Sequence, residues 1–502
     1  MTATATRTLD NYIGGAWVPA AAGTQTLDVV NPANAQTLAR VPLSSRADLD
    51  AAVQAARAAL PEWRAVSTIA RARKLFELRE RLLARSEDLA RSVTTEMGKT
   101  IGDARAEVAR MIEMVEAATG IPSTMQGRVL EDVSRNIDAE MIRQPVGVCA
   151  AIAPFNFPAM VPFWFLPFAI ACGNSFILKP SEQVPLTQQI AFEELHALGL
   201  PAGVVNLVNG GREIVEGILE HPGVDAVSFV GSAPVAKIVY EGAAKTGKRV
   251  QALGGAKNHI VVMPDAVIEQ TVDGIIGSAF GAAGQRCMAG SVVVTVADAH
   301  EQLLGPLAEA AKALKVGAGI DEHSELGPVI SCAARDRIAG YVERAVTDGA
   351  TLVVDGRNPT GETIDPEGAF LAATIIDDVK PEMEIAQEEV FGPVLAIIRA
   401  ESLDQAIEIV NSSRFGNGTS IFTESGASVR RYRHEVEAGM IGVNISVAAP
   451  VAFFPFSGWK DSFLGDVHAH GIDGVEFFTR KKTVTSRYFS SGQGSGSYFV
   501  ER

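Results

Sequence analysis

The chain has 502 residues, 47% hydrophobic and 21% charged, a globular balance long enough for about three domains. Its net charge of −15 argues against nucleic acid as a partner and offers an anionic membrane little attraction. Four scattered cysteines (Cys149, Cys172, Cys287, Cys332), with no CxxC and no His-rich cluster, suggest reduced thiols in a cytoplasmic protein, with neither a disulfide framework nor a metal site.

In chain order, the first residues lack an apolar h-region, so no secretory signal is expected there. Residues 48–117 carry helical periodicity, with Leu49, Ala52, Val53, Ala56 and Leu60 followed by Leu75, Leu78, Leu82 and Leu83. Residues 144–178 hold no charge and are long enough to suggest a membrane span, but Pro145, Pro154, Pro158, Pro162 and Pro167 interrupt them. A buried strand over 146–153, a tight loop, a short helix and a second strand over 175–178 fit better. Short β-branched runs then alternate with helix-like stretches, at 204–208, 226–230 and 260–262, then 292–296, 351–354 and 394–398, with a helix over 403–411. That alternation predicts a parallel α/β protein with crossover helices. The Gly/Ser-rich residues 490–497 read as a mobile or partner-ordered terminus.

Cys287 is the most informative residue. It lies among small residues in Phe280-Gly-Ala-Ala-Gly-Gln-Arg-Cys-Met-Ala-Gly290, which suggests access rather than packing, and the adjacent Arg286 should favour the thiolate. Around it, Pro154-Phe-Asn-Phe-Pro158, Leu178-Lys-Pro-Ser-Glu182, Phe229-Val-Gly-Ser232, Leu253-Gly-Gly255, Gly284-Gln-Arg-Cys287 and Glu388-Glu-Val-Phe-Gly-Pro393 follow one another in order. On these motifs, with Tyr12-Ile-Gly-Gly-Ala-Trp17 and Pro455-Phe-Ser-Gly-Trp-Lys460 at the two ends, nearly the whole chain resembles the aldehyde dehydrogenase superfamily.

The resemblance implies an aldehyde dehydrogenase-like α/β fold. A Rossmann-like NAD-binding domain would take residues 1–122 and 146–254, and an α/β catalytic domain 255–455. A small oligomerisation sheet would come from 123–145 and 472–502, implying a homodimer or homotetramer. No GxGxxG follows the first strand, so the usual dinucleotide fingerprint is missing. By resemblance, Phe155, Lys179, Glu182, Gly231, Ser232, Glu389 and Phe391 hold the cofactor. A carboxylate at Glu182 would bond ribose hydroxyls and repel a 2′-phosphate, favouring NAD over NADP. Ala236 stands where the family has a glycine, which leaves the details of the phosphate cradle open.

Thiolate addition to an aldehyde gives a thiohemiacetal whose oxyanion needs donors, and the resemblance gives that role to Asn156 and the Cys287 backbone N–H. Hydride transfer to NAD would leave a thioester on Cys287. Hydrolytic family members place a glutamate directly before Leu-Gly-Gly to activate water; here that position is Ala252. A thioester without that base waits for a better nucleophile, which points to coenzyme A. The substitution is typical of the CoA-acylating methylmalonate-semialdehyde dehydrogenases, in which two arginines bind the substrate carboxylate. Arg286 matches the first. Arg110 is placed as the second, with Glu107 and Glu113 both within helical ion-pair reach. The implied reaction turns methylmalonate or malonate semialdehyde into propionyl- or acetyl-CoA. The alternatives are a hydrolytic enzyme for another carboxylated aldehyde and a non-enzymatic structural member of the family.

Overall fold

The computed structural model describes residues 6–21, 23–361 and 364–489. The predicted Gly/Ser-rich terminus at 490–497 lies outside them. The helical periodicity of 48–117 resolves into four helices, Arg46–Ala65, Thr68–Ala84, Ser86–Met97 and Ile101–Thr119. Short polar residues start two of them: Ser67 Oγ accepts from Ala70 N, and Thr100 Oγ1 from Asp103 N. Gly98 ends the third at φ 95, a left-handed turn that favours glycine.

Two large sheets stand at the centre. In the first, parallel strands run in the order Val205–Leu207, Ser175–Lys179, Val148–Ile152, Ala226–Val230, Arg249–Leu253. Numbered along the chain this is 3-2-1-4-5, so strand order reverses between Val148–Ile152 and Ala226–Val230. In open α/β sheets ligands bind at that reversal, beyond the carboxyl ends of the strands. The second sheet carries seven strands, with Asn258–Val262 beside Gly290–Val296 at its middle. Wholly apolar runs such as Val292, Val293 and Val294 explain why both sheets are buried on two faces.

The parallel expectation fails at the edges. Thr351–Val354 pairs antiparallel with Thr374–Asp377, and Phe463–Gly465 pairs antiparallel with the end of Arg249–Leu253. The Asn11–Ile13 and Ala16–Val18 hairpin closes the other side of the first sheet. A third, antiparallel sheet joins Arg128–Ser134, Ile137–Pro145 and Thr479–Arg487. The uncharged stretch includes the 12-residue helix Met160–Ala171, whose side chains are buried from Val161 onward. Among the described residues no helix is long and apolar enough to cross a membrane.

Candidate active site

The reversal of strand order places two loops side by side. Pro154, Phe155 and Asn156 leave Val148–Ile152, and Gly231 and Ser232 leave Ala226–Val230. Together with Glu182, Glu389, Phe391 and Arg337 they line a cavity of about 700 Å³ that reaches Cys287. The Phe155 and Phe391 rings meet edge to face, 5.8 Å between centroids. A Cβ on Gly231 would lie 2.5 Å from the tip of the Phe229 ring, which would have to move to admit it. Gly231 and Ser232 lead directly into the helix Ala233–Lys245.

Lys179 and Glu182 are not a solvated surface pair. Lys179 is buried, and its Nζ lies 2.8 Å from Glu182 Oε2. Burial would raise the Glu182 carboxyl, but the Lys179 charge and hydrogen bond outweigh it and hold it below the usual range. Burial pushes the Glu389 carboxyl up to about 7, against a backbone bond from Ala256 and the charges of Lys257, Arg337 and Arg414. The neighbouring Glu388 turns outward and pairs with Arg414.

A second cavity, of about 300 Å³, opens on the other side of the same sulfur. Arg110, Arg286, Asp103, Phe157, Trp164 and His470 are among its lining. Cys287 lines both. The two arginines expected to take a carboxylate therefore face one space, but neither is free. Arg286 Nη2 donates to Asp103 Oδ1 at 2.5 Å. Arg110 donates to Glu113 at 2.5 Å and to the Pro450 carbonyl at 2.7 Å. Of the two helical partners expected for Arg110, Glu113 is the real one; Glu107 is claimed by Lys99.

Arg286 does favour the thiolate, as expected, but it is outweighed. Burial, and then the Glu389 charge, push the thiol up to about 12. The backbone N–H groups of Cys287 and Met288 pull down, and Arg286 pulls least.

Asn156 is buried, and its side-chain amide donates to the Gln285 carbonyl at 2.9 Å, which leaves one N–H for an oxyanion. The nucleophile loop is held tightly. Ala282, Ala283 and Gly284 take φ of 50, 53 and 69, and a Cβ on Gly284 would lie 2.1 Å from the Gly392 carbonyl oxygen. The two motifs Gly284-Gln-Arg-Cys287 and Phe391-Gly-Pro393 thus touch backbone to backbone.

Sequence reasoning missed several members of this site. Asn258 and Asn417 both donate to the Cys287 carbonyl, at 2.9 and 2.8 Å. Lys99 Nζ donates to the Asn156 carbonyl at 2.8 Å. His470 lines the smaller cavity, with burial and then Arg110 driving its imidazole down to about 3, so it is neutral. Ala252 is wholly buried in an apolar cluster with Phe229, Ala236 and Val239, and it lines neither cavity.

A family model described as the aldehyde dehydrogenase family matches residues 17–484. The chain is 53% identical over 485 residues to malonate-semialdehyde dehydrogenase 3 of Geobacillus kaustophilus (strain HTA426), covering 97% of this chain and 100% of that one. It is 50% identical over 480 residues to malonate-semialdehyde dehydrogenase of Halalkalibacterium halodurans, covering 96% and 98%. Among solved structures, methylmalonate-semialdehyde dehydrogenase from Oceanimonas doudoroffii superposes with a TM-score of 0.95 at 43% identity, over 97% and 99% of the two chains. A protein from Sinorhizobium meliloti 1021 complexed with NAD gives 0.95 at 41%, again over 97% and 99%.

Proposed function

The chain belongs to the aldehyde dehydrogenase family, and from that premise we propose that it oxidises malonate or methylmalonate semialdehyde with NAD and passes the acyl group from Cys287 to coenzyme A. The observation that carries this reading is the position of Cys287 between two unlike cavities, one edged by Glu182, Gly231 and Glu389, the other by Arg110 and Arg286.

The larger cavity suits a dinucleotide. It lies at the strand-order reversal, Gly231 and Ser232 lead into a helix N-terminus, and Glu182 is an ionised acceptor for ribose hydroxyls. Phe155, Lys179, Glu182, Gly231, Ser232, Glu389 and Phe391 would hold it. When bound there, NAD supplies a hydride acceptor beside the sulfur. A relative at 41% identity is complexed with NAD, which supports the assignment.

The smaller cavity receives the aldehyde. Arg110 and Arg286 retain guanidinium N–H groups beyond those given to Glu113, Pro450, Gly277 and Asp103, and these face a substrate carboxylate. Cys287 reacts as its thiolate: once the thiol has lost its proton, Sγ forms a bond to the aldehyde carbon and the carbonyl electron pair moves to oxygen, where Asn156 and the Cys287 N–H stabilise it. Loss of hydride from that carbon re-forms the C=O as a thioester. The thioester carbonyl then accepts the electron pair freed when the β-carboxylate leaves as CO2, and the enolate so formed takes a proton at the α-carbon, which restores the carbonyl as a propionyl or acetyl thioester. The coenzyme A thiolate attacks the same carbonyl, and Cys287 leaves as thiolate. Ala252 offers no base for water at the position where hydrolytic relatives carry a glutamate.

A hydrolytic enzyme is the second reading. Glu389 is close enough to Cys287 to raise its thiol, and its carboxyl sits at about 7, where a general base works best. The deciding experiment measures NADH and acyl product from methylmalonate semialdehyde with and without coenzyme A. Dependence on coenzyme A, with propionyl-CoA formed, supports the first reading. Equal turnover in its absence, with a free acid as product, supports the second. Binding of NAD with no NADH burst would point instead to a structural member of the family. The exposed Val129 and Leu130 on the antiparallel sheet suit docking of a second copy, in keeping with a homodimer or homotetramer.

A further inference from the structure

One face of the helix Ile101–Thr119 runs behind the reacting sulfur and fastens three separate loops. Glu113 accepts the Ala452 N–H at 3.0 Å. Glu107 accepts the N–H groups of Ala159 and Met160, just beyond Asn156, at 2.8 and 3.1 Å. Asp103 takes the nucleophile loop, and it does so at both ends. Its Oδ2 accepts the Ala282 N–H at 2.9 Å, and its Oδ1 accepts from Arg286 Nη2 at 2.5 Å.

We propose that Asp103 is a positioning residue that sets both the placement of Cys287 and the charge that Arg286 presents to an anionic substrate. It does not depend on which aldehyde is used.

The positioning half follows from the turn. Two consecutive alanines at φ 50 and 53 occupy a region that L-residues avoid, so the turn persists only where its surroundings hold it. The Asp103–Ala282 bond grips the first strained residue. Gln285 is the next contact along: its carbonyl meets the Asn156 amide, and its own side-chain carbonyl accepts the Ile330 N–H at 3.0 Å. Released at Ala282, the turn relaxes toward a commoner conformation. It then carries Gln285 and Cys287 away from Asn156.

The charge half follows from burial. The Arg286 and Asp103 side chains are each about four-fifths buried, and both line the smaller cavity with Cys287. Water screens them poorly there, so the carboxylate cancels much of the field the guanidinium would otherwise project at the sulfur. Asp103 thereby tempers the attraction of the site for anions, a level that neither Arg110 nor Arg286 fixes alone.

Alkylation of Cys287 tests both halves without any aldehyde or coenzyme A, so its outcome is separate from that of the proposed reaction. Rates are measured with neutral iodoacetamide and anionic iodoacetate on the full chain. Asp103→Asn keeps a carbonyl oxygen for the Ala282 N–H but removes the charge. Its iodoacetamide rate should rise with the thiolate fraction, while its iodoacetate rate rises roughly threefold to tenfold further, the gain in the ratio shrinking in high salt. Asp103→Ala loses both bonds, and its iodoacetamide rate should fall roughly tenfold or more as the sulfur moves. An unchanged iodoacetate-to-iodoacetamide ratio in Asp103→Asn would overturn the charge role. Parent-like alkylation of a folded Asp103→Ala would overturn the positioning role. Asp103→Asn preserves the clamp, so its ratio decides the charge role even where Asp103→Ala does not fold, and then a parent-like melting midpoint for Asp103→Asn assigns the fold's need to the Ala282 bond.

Discussion

Lys99 Nζ stands 2.6 Å from Glu107 Oε2 with neither side chain exposed, and the same ammonium donates to the Asn156 carbonyl. A buried ion pair is worth little against an apolar replacement of both partners, but losing one partner strands the other charge. Lys99→Met should therefore lower unfolding free energy by about 3–5 kcal/mol. Glu107→Leu, which strands the ammonium, should behave alike, and Lys99→Met with Glu107→Leu should lose less than the two single losses added. Chemical denaturation of the four proteins gives the coupling. Additive losses would mean that the two side chains do not interact, and that Asn156 is held by other contacts.

The pH dependence of Cys287 is set by burial. Its thiol is pushed up to about 12, chiefly by loss of hydration and then by Glu389. At neutral pH it is almost wholly protonated, so iodoacetamide labelling of the cofactor-free protein should climb about tenfold per pH unit from pH 7 to 10. A plateau below pH 8 would show a thiolate already formed. Glu389→Gln removes a negative neighbour, so the thiol falls and labelling at pH 8 quickens. The same variant should bind NAD more weakly if Glu389 holds a ribose.

Ala252→Glu tests the missing base under a constraint the sequence did not reveal. The methyl group sits on the strand next to the sheet edge, beside Phe229 and Leu464 in neighbouring strands, and lines neither cavity itself. A glutamate there overpacks the cluster by about 1–3 kcal/mol before any hydrolysis is gained. The melting midpoint should drop, and NADH turnover without coenzyme A should rise from near zero to a modest rate. A lower midpoint with no such turnover would mean that the new carboxyl never reaches the thioester.

The candidate site residues stood out because the proposed chemistry demands particular residue types within short motifs. Asn156, Cys287 and Glu389 each lie in a run of four to six residues, and all three line the larger cavity. The residues that hold them were not legible, because their partners are distant along the chain. Asp103 meets Arg286 across 183 positions, and Asn417 meets the Cys287 carbonyl across 130. One signal was available. Glu107 falls in the apolar stripe of its helix, between Ala104 and Met111, where an ionisable group is costly unless paired. Of the fold, the buried parallel strands stood out as β-branched runs. The edge strand Phe463–Gly465 did not, since it is three residues long and ends in a glycine at φ 141.

Arg110 separates a ligand from a scaffold residue. It leaves a helix whose face lines the smaller cavity, and it spends two N–H groups on Glu113 and the Pro450 carbonyl. Those bonds aim the guanidinium and leave further donors for a carboxylate. Arg110→Ala should therefore raise KM for malonate semialdehyde far more than for propanal, by roughly tenfold to 150-fold if one bidentate charged pair worth about 1.5–3 kcal/mol is lost. Arg110→Lys should recover only part of it, because an ammonium cannot make the paired bonds. Steady-state kinetics on the two aldehydes measures the split. Equal losses on both would return Arg110 to the role of tying its helix to the 447–452 loop.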